Sequence, residues 1–468
     1  MGLFFQEVAV MSKTTDLTKG KITPVILGFF FPMLLTNMLQ QIYTVADTAI
    51  VGKGLGDDKL AAVGNMSSLT FLIFGFAMGL ANGFSIIIAQ NFGSKDYAKL
   101  RKSVAATVKL FIIFSILLTV ISMATLRFLM DVMQTDPLIL DDSLKYGYVI
   151  FGGLAVTLSY NLTSGILRAL GDSKTPFYAI IISSVINVVL DFVFIFGFKT
   201  GVEGAAVATV FSQAVSTAVC FAKLRTIESI RFTKADYKEC GSFCGKLIAN
   251  GIPMALMNSI TAIGCIVLQY FINGLGVAYT SAYSACSKYI NLFMQPACTA
   301  GFTMSSFTSQ NYGAKEYGRI RSGLKVCFAI AAISYVTLGA CMVFFPRQLS
   351  LLMMNGEEPV ALASEYLPIC GIMLFAVDFL FVFRSGVQGM GRPTIPMISG
   401  ILEMAIRILV VVFFIDSLGF NSTAYAQAAA WVGALIMNYL AFRHYIGVHS
   451  ENKKVKLSKK HIKAAQMG

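Results

Sequence analysis

The sequence predicts an all-α membrane protein with twelve transmembrane helices, arranged as two six-helix lobes related by a pseudo-two-fold axis along the membrane normal. Three observations predict this fold. The chain of 468 residues is 56% apolar and only 13% charged, its charges cluster between long uncharged stretches, and its two halves repeat each other. A soluble domain has about 25% charged residues, so a water-soluble enzyme is excluded as a class.

The uncharged stretches are long enough for helices that cross a bilayer, which need about 20 apolar residues each. They lack the alternation of apolar and polar residues that marks the strands of a membrane β-barrel, so helices are expected. The predicted spans are residues 23–51, 60–89, 104–126, 146–167, 176–198, 202–222, 247–272, 280–309, 324–345, 361–383, 395–415 and 424–442.

Basic residues predict the orientation of the chain. They concentrate in both tails and in every second loop, and the opposite side holds only Lys53, Lys59, Arg127, Lys145, Lys199 and Arg347. Because cytoplasmic loops carry the excess of lysine and arginine, both termini are expected in the cytoplasm. The same rule accounts for the net charge of +13, so no nucleic-acid partner is expected.

An internal repeat relates the two halves. The segment 90–97 (QNFGSKDY) recurs 220 positions later as 310–317 (QNYGAKEY). Further matches in the same order are Gly171 with Gly391, Pro176 with Pro396 and, after one insertion, Pro32 with Pro253. An even number of spans in each half gives both halves the same topology, and such pairs of lobes commonly enclose a cavity at the midplane of the membrane.

The repeat also predicts the boundaries of the lobes. Between them lies a charged segment that we interpret as a cytoplasmic linker. The predicted parts are a cytoplasmic tail at 1–22, an N-lobe at 23–222, the linker at 223–246, a C-lobe at 247–445 and a basic cytoplasmic tail at 446–468.

Ionisable side chains inside the predicted spans are the first candidates for function, because each costs at least about 2.5 kcal/mol at the bilayer centre. The N-lobe has Asp47 and Asp191, with Asn187 one turn before Asp191 and Thr209 on the sixth span. Carboxylate, amide and hydroxyl oxygens suit a hard cation such as Na⁺. Two carboxylates in one dry pocket also suit a proton, so the sequence leaves both ions open. Unrelated polar contacts between helices are the structural alternative.

Other polar residues are predicted to line a substrate cavity. Gln40 and Tyr43 lie on the same helical stripe as Asp47, at positions i, i+3 and i+7. In the C-lobe the cavity candidates are Asp378, Glu403 and Arg407. The alternative for Glu403 and Arg407, four residues apart on one helix face, is a static ion pair.

Motifs for enzymatic chemistry are missing from the sequence. It contains no ATP-binding P-loop, and its three histidines, His444, His449 and His461, all lie in the last 25 residues. A membrane enzyme would show a convergent Ser/His or His/Cys set within its core. We therefore expect neither an enzyme nor a cofactor, only a coupling ion.

Together these motifs resemble a known family. Gln40, Tyr43 and Asp47 with their spacing, the repeated segment 90–97 and the Asn187–Asp191 pair are similar to those of the MATE family, the multidrug and toxic compound extrusion transporters. The resemblance covers about residues 20–445. It implies an antiporter that expels organic, often cationic, compounds in exchange for inward Na⁺ or H⁺. The cation-binding residues that it implies are Asp47, Asn187, Asp191 and Thr209.

The resemblance also carries expectations about the C-lobe and the surroundings of the protein. One branch of the family has a glutamate on the seventh helix, but the stretch 253–261 has no acid here, so coupling is expected in the N-lobe. Asp378 resembles the acid of the tenth helix. The implied setting is a bacterial plasma membrane, with membrane lipid and small organic substrates as partners, no nucleic acid, and a monomeric protein.

Three other classes of function are alternatives to efflux. A lipid-linked sugar flippase needs basic residues for pyrophosphate. Lys288, Arg384 and Arg407 keep this class open in the C-lobe, whereas the acidic N-lobe opposes it. A channel would show a filter sequence, and a receptor would show soluble domains; neither is visible.

Overall fold

The computed structural model of this chain describes residues 15–354 and 356–465, and it is almost entirely helical there, without a β-strand in those ranges. The predicted fold class, an all-α membrane protein with two lobes, is confirmed. The predicted tails at 1–22 and 446–468 lie partly outside the described residues.

The first half of the chain contains eight α-helices among its described residues. They are α1 Ile22–Leu55, α2 Asp57–Gly93, α3 Tyr97–Val132, α4 Pro137–Gly152, α5 Leu154–Ala169, α6 Lys174–Phe192, α7 Gly201–Thr226 and α8 Lys234–Glu239. A π-helical turn at Val193–Gly197 extends α6, and a 3-10 turn at Glu228–Ile230 follows α7.

The second half repeats this succession of long helices. Its helices are α9 Gly241–Leu275, α10 Val277–Phe293, α11 Gln295–Gly313, α12 Tyr317–Ser334, α13 Ala340–Phe344, α14 Pro346–Met353, α15 Glu357–Gly389, α16 Thr394–Leu418 and α17 Asn421–Ala465. A π-helical turn at Tyr335–Gly339 joins α12 to α13.

The predicted spans coincide with helices, but the count of twelve is not confirmed. Within the described part of the chain, nine helices are long and apolar enough to cross a membrane, and the bent pair α4–α5 would make ten. The predicted spans 280–309 and 424–442 lie on α10–α11 and α17, which are not among these helices. Helix α10 has only 17 residues, and in α11 and α17 serine, threonine, alanine and glycine replace larger aliphatic residues.

The internal repeat is visible in the backbone as well as in the sequence. Left-handed φ angles, which favour glycine, recur at the offset of 220 residues. The pairs are Gly56 with Gly276 (91° and 121°), Lys95 with Lys315 (59° and 60°), Gly171 with Gly391 (82° and 74°) and Lys199 with Gly419 (53° and 54°). The two halves therefore turn their chains in the same way at matching loops.

The described residues form two compact units. The first contains Leu27–Ser259 and the segment that ends at Leu17, and the second contains Thr18–Ile26 and the residues from Ile260 onward. The division thus falls inside α9 instead of in the predicted linker at 223–246. The physical reason is packing within the first unit, where the first half of α9 lies directly against α2.

Glycines allow this close approach of α2 and α9. A Cβ built on Gly83 would lie 2.5 Å from the Cα of Gly251, and one on Gly79 would lie 2.5 Å from the Cα of Ala255. Small residues at intervals of four let two helix backbones meet in a membrane. These two glycines therefore form part of the surface of α2 that packs against α9.

The predicted linker is an ordered part of the first unit. Thr233 and Asp236 form a capping box at the start of α8. Asp236 also pairs with Arg101 of α3 at 3.5 Å, and Lys102 pairs with Glu239 at 2.6 Å. The backbone N–H of Thr233, with help from Arg101, lowers the pKa of Asp236.

The contact between α2 and α9 generates a prediction about stability. Gly83→Ala forces the two backbones apart, and overpacking of this kind costs about 1–3 kcal/mol. We expect a lower melting temperature of the purified protein in detergent. Gly64→Ala is the matched control, since a Cβ at Gly64 on the same helix meets nothing within 4 Å. Equal stability of the two variants would contradict the close packing.

Candidate functional site

Two carboxylates meet inside the first unit. Asp47 of α1 and Asp191 of α6 lie next to each other, close enough for their carboxyl groups to interact directly. Asp191 is fully buried, and neither of its carboxylate oxygens has a hydrogen-bond partner, nor does Oδ1 of Asp47. Within the described ranges, no lysine or arginine forms an ion pair with either residue. Adjacent carboxylates repel each other unless a proton or another cation neutralises them.

Helix α6 supplies a polar stripe that leads to this pair. Ser183, Asn187 and Asp191 follow each other at intervals of four, so they share one face of the helix. Asn187 is fully buried, and neither its amide nitrogen nor its amide oxygen has a partner. A free amide oxygen one turn from Asp191 is a further ligand for a cation.

Tyr43 connects the carboxylates to the sixth predicted span. Its hydroxyl donates to Oγ1 of Thr209 on α7, at 3.5 Å, and its ring lies near both Asp47 and Asp191. Asp47 and Asp191 thus lie together, and Asn187 is one turn from Asp191. Thr209 is linked to them through Tyr43. That these four residues bind a cation stays a prediction. Two carboxylates, an amide oxygen and a hydroxyl fit Na⁺ or a proton. The described residues contain no group of three or more His, Cys, Asp or Glu side chains that could hold a metal ion.

Tyr146 belongs to the same cluster and was missed by sequence reasoning. It lies on α4, and its phenol faces Asp47, Tyr43 and Asp191. Nothing in its local sequence marks it, because it is a single tyrosine in an ordinary helical stretch. Only the packing of α4 against the other helices brings it to the carboxylates.

A cavity of about 240 Å³ opens beside this cluster within the first unit. Gln40 and Tyr43, both predicted as cavity residues, lie in its wall, so Tyr43 borders the cavity as well as the carboxylates. The other lining residues are Thr44, Ile180, Ser183, Ser184, Ser212 and Gln213. Hydroxyl and amide groups dominate, and Oε1 of Gln213 is buried without a partner. The cavity therefore offers hydrogen bonds but no formal charge of its own.

The ionisable residues of the second unit are arranged differently from the prediction. Glu403 of α16 pairs with Arg384 of α15, in a buried contact between two helices. The alternative of a static ion pair between Glu403 and Arg407 on one helix face is therefore wrong, because Glu403 pairs with Arg384 on the neighbouring helix. Arg407 lies close to Arg384, and its Nε and Nη1 lack partners.

Asp378 stands apart from these residues. It is fully buried on α15, and neither of its carboxylate oxygens has a hydrogen-bond partner. The thiol of Cys298 lies near it. The assignment of Asp378, Glu403 and Arg407 to a substrate cavity stays a prediction.

A known protein family matches both halves of this chain. The family described as MatE matches residues 32–193 and 253–441 of this chain. The chain belongs to the MatE family. The resemblance inferred from the sequence motifs is confirmed, and the two matched ranges correspond to the two repeated halves.

Two named proteins are similar to this chain over most of its length. "Probable multidrug resistance protein YoeA" of Bacillus subtilis (strain 168) is 29% identical over 349 residues, which is 73% of this chain and 75% of that protein. The "FAD transporter" of Shewanella oneidensis is 23% identical over 418 residues, which is 85% of this chain and 89% of that protein.

Solved structures show the same fold. The protein described as "Crystal structure of MATE in the bent conformation" superposes with a TM-score of 0.88 at 22% identity, covering 94% of this chain and 99% of that chain. A MOP superfamily transporter from Pyrococcus furiosus superposes with a TM-score of 0.86, also at 22% identity, over 94% of this chain and all of its own. At this identity the likeness shows the fold alone.

The contrast between unpaired and paired charges predicts opposite effects on stability. Asp191→Asn removes a buried carboxylate that has no partner, so we expect a gain of about 1–2 kcal/mol. Glu403→Gln leaves Arg384 buried without its partner, so we expect a loss of about 3–5 kcal/mol. Thermal unfolding of both purified variants measures the two effects. If Asp191→Asn destabilised the protein as much as Glu403→Gln, Asp191 would be a paired structural residue.

Proposed function

We propose that this chain is a secondary multidrug efflux antiporter, which exports organic, often cationic, compounds in exchange for inward Na⁺ or H⁺. One observation carries the proposal: the half-buried Asp47 and the buried Asp191 lie side by side without basic partners, beside a polar cavity that has Tyr43 in its wall. A site for a small cation and a site for an organic molecule are thus adjacent in one unit.

The chemistry of the cavity supports an organic substrate. Its lining groups accept and donate hydrogen bonds without contributing a charge, and the two carboxylates nearby favour a ligand with positive charge. Relatives named as multidrug resistance or multidrug export proteins support export of such compounds. The setting that we propose is a bacterial plasma membrane, with both termini in the cytoplasm and the protein acting as a monomer.

Helix α1 offers a physical link between ion and substrate. This helix carries Asp47 at the carboxylate pair, and Gln40 and Tyr43 in the cavity wall. Pro32 lies nearer the start of the same helix and interrupts its backbone hydrogen bonds. A cation at Asp47 therefore acts on the helix that holds the substrate. A shift of this helix weakens substrate binding on the outward-open side.

Energy for the cycle comes from the ion gradient. An inward cation gains about 2.3 kcal/mol per charge for each 100 mV of membrane potential. Its binding neutralises one of the two charges of the carboxylate pair, and its release restores that charge and with it the affinity for a cationic substrate. Because the coupling between two ligands is reciprocal, substrate binding must weaken cation binding by the same factor.

Transport by reconstituted protein tests the proposal. We expect proteoliposomes with wild-type protein to move a fluorescent organic cation when either a sodium or a proton gradient is imposed, and the two gradients are applied separately to identify the ion. Asp47→Asn and Asp191→Asn should reduce this flux to that of protein-free vesicles, because the neutral amide cannot release a cation and recover its charge.

Asp416→Asn serves as the matched control, since this carboxylate on α16 is exposed. It should transport like the wild type. Wild-type rates in both Asp47→Asn and Asp191→Asn would disprove coupling at this site, and dye movement without any gradient would indicate a channel instead of an antiporter.

A further inference from the structure

The repeat allows the cation site of the first unit to be compared with the matching positions of the second. In the helices α6 and α16 the offset is 220 residues, as shown by Pro176 and Pro396. Asp191 then corresponds to Val411 and Asn187 to Arg407. The carboxylate has become a buried aliphatic side chain, and the neutral amide has become a cation.

The other acid is lost on the first helix of each half. Asp47 corresponds to Leu268 with the offset of 221 residues given by Pro32 and Pro253, and to Val267 with the offset of 220 that holds at Gly56. Leu268 is fully buried, so neither acid of the first unit has an acidic counterpart in the second. The matching site has therefore lost both negative charges and gained one positive charge.

The guanidinium of Arg407 occupies the space that the absent side chain of Gly264 leaves. A Cβ built on Gly264 would lie 2.7 Å from Nη1 of Arg407, so glycine at this position makes room for the group. Arg407 is 2% exposed, and its Nε and Nη1 have no hydrogen-bond partner. Tyr283 of α10, a neutral phenol, lies nearby.

The charges around Arg407 do not balance. Arg384 lies close to it, and the one carboxylate of this group, Glu403, is already paired with Arg384. Asp378 has no hydrogen-bond partner on either carboxylate oxygen, so it forms no direct ion pair with Arg407. The buried cluster Arg384–Glu403–Arg407 thus carries one excess positive charge.

A buried guanidinium cannot lose its charge as a buried carboxylate can. Buried acids become neutral by binding a proton, whereas arginine stays charged in proteins. An isolated charge in a dry interior is strongly unfavourable, so it needs a partner of opposite sign. Carboxylate and phosphate oxygens are the partners that arginine binds best.

We propose that the second unit contains an oxyanion site at Arg407, which binds the carboxylate or phosphate group of a ligand. One consequence rests on the proposed export activity. The site allows the protein to export substrates that carry a negative group as well as a positive one. The anion comes either from a soluble ligand or from the headgroup of a lipid.

Binding to the purified, delipidated protein tests the proposal without any ion gradient, so its outcome does not depend on antiport. Sodium benzoate is the soluble probe and short-chain phosphatidic acid is the lipid probe, with benzamide as the neutral analogue of benzoate. We expect at least one of the two anions to bind and to raise the melting temperature, and benzamide to do neither. The anion that binds more tightly identifies the source.

Variants locate the site. Arg407→Gln should weaken anion binding at least about tenfold, the effect of losing a charge-assisted hydrogen bond, whereas Arg347→Gln, an exposed arginine on α14, should bind as the wild type does. Gly264→Ala, which keeps the charge but displaces the guanidinium, should also weaken binding and remains informative if Arg407→Gln fails to fold. Undiminished binding in both variants at Arg407 and Gly264, or no anion binding by the wild type, would overturn the proposal.

Discussion

The candidate site of this protein depends on the repulsion between two carboxylates that the fold holds side by side within one unit. Asp47 and Asp191 belong to helices far apart in sequence, and neither has a basic partner among the described residues. Such a pair is unfavourable by itself, and a small positive ion relieves it. The cation that we propose at this pair would therefore act directly on the helices that carry the two carboxylates.

The internal repeat keeps the backbone of the two halves alike while the polar residues of their interiors differ. Matching loops keep the same left-handed backbone in both halves, and glycine and proline recur at matching positions. The polar residues do not follow this symmetry, because Asn187 is matched by Arg407 and Asp191 by Val411. The backbone of the repeat is shared, while the charge of each interior is set independently by a few side chains.

Local patterns in the sequence predicted a large part of the fold and the centre of the site. Hydropathy located the helices, and helical spacing placed Gln40, Tyr43 and Asp47 on one face. Contacts between distant helices were beyond such patterns. The pairing of Glu403 with Arg384 and the presence of Tyr146 beside the carboxylates are decided by tertiary packing, which no short-range periodicity encodes. The count of twelve spans stays a prediction, since α10 has only 17 residues and α11 and α17 are rich in small and polar residues.

Cation binding by the purified protein tests the central role of the carboxylate pair most directly. Binding of radioactive sodium counts the sodium ions per chain, and acid titration counts the protons taken up per chain. Both are measured for the wild type, for Asp191→Asn and for Asp416→Asn as the exposed control. The wild type and the control should bind a sodium ion or an additional proton near neutral pH, and Asp191→Asn should bind neither. Equal binding by all three proteins, or none by the wild type, would contradict this account.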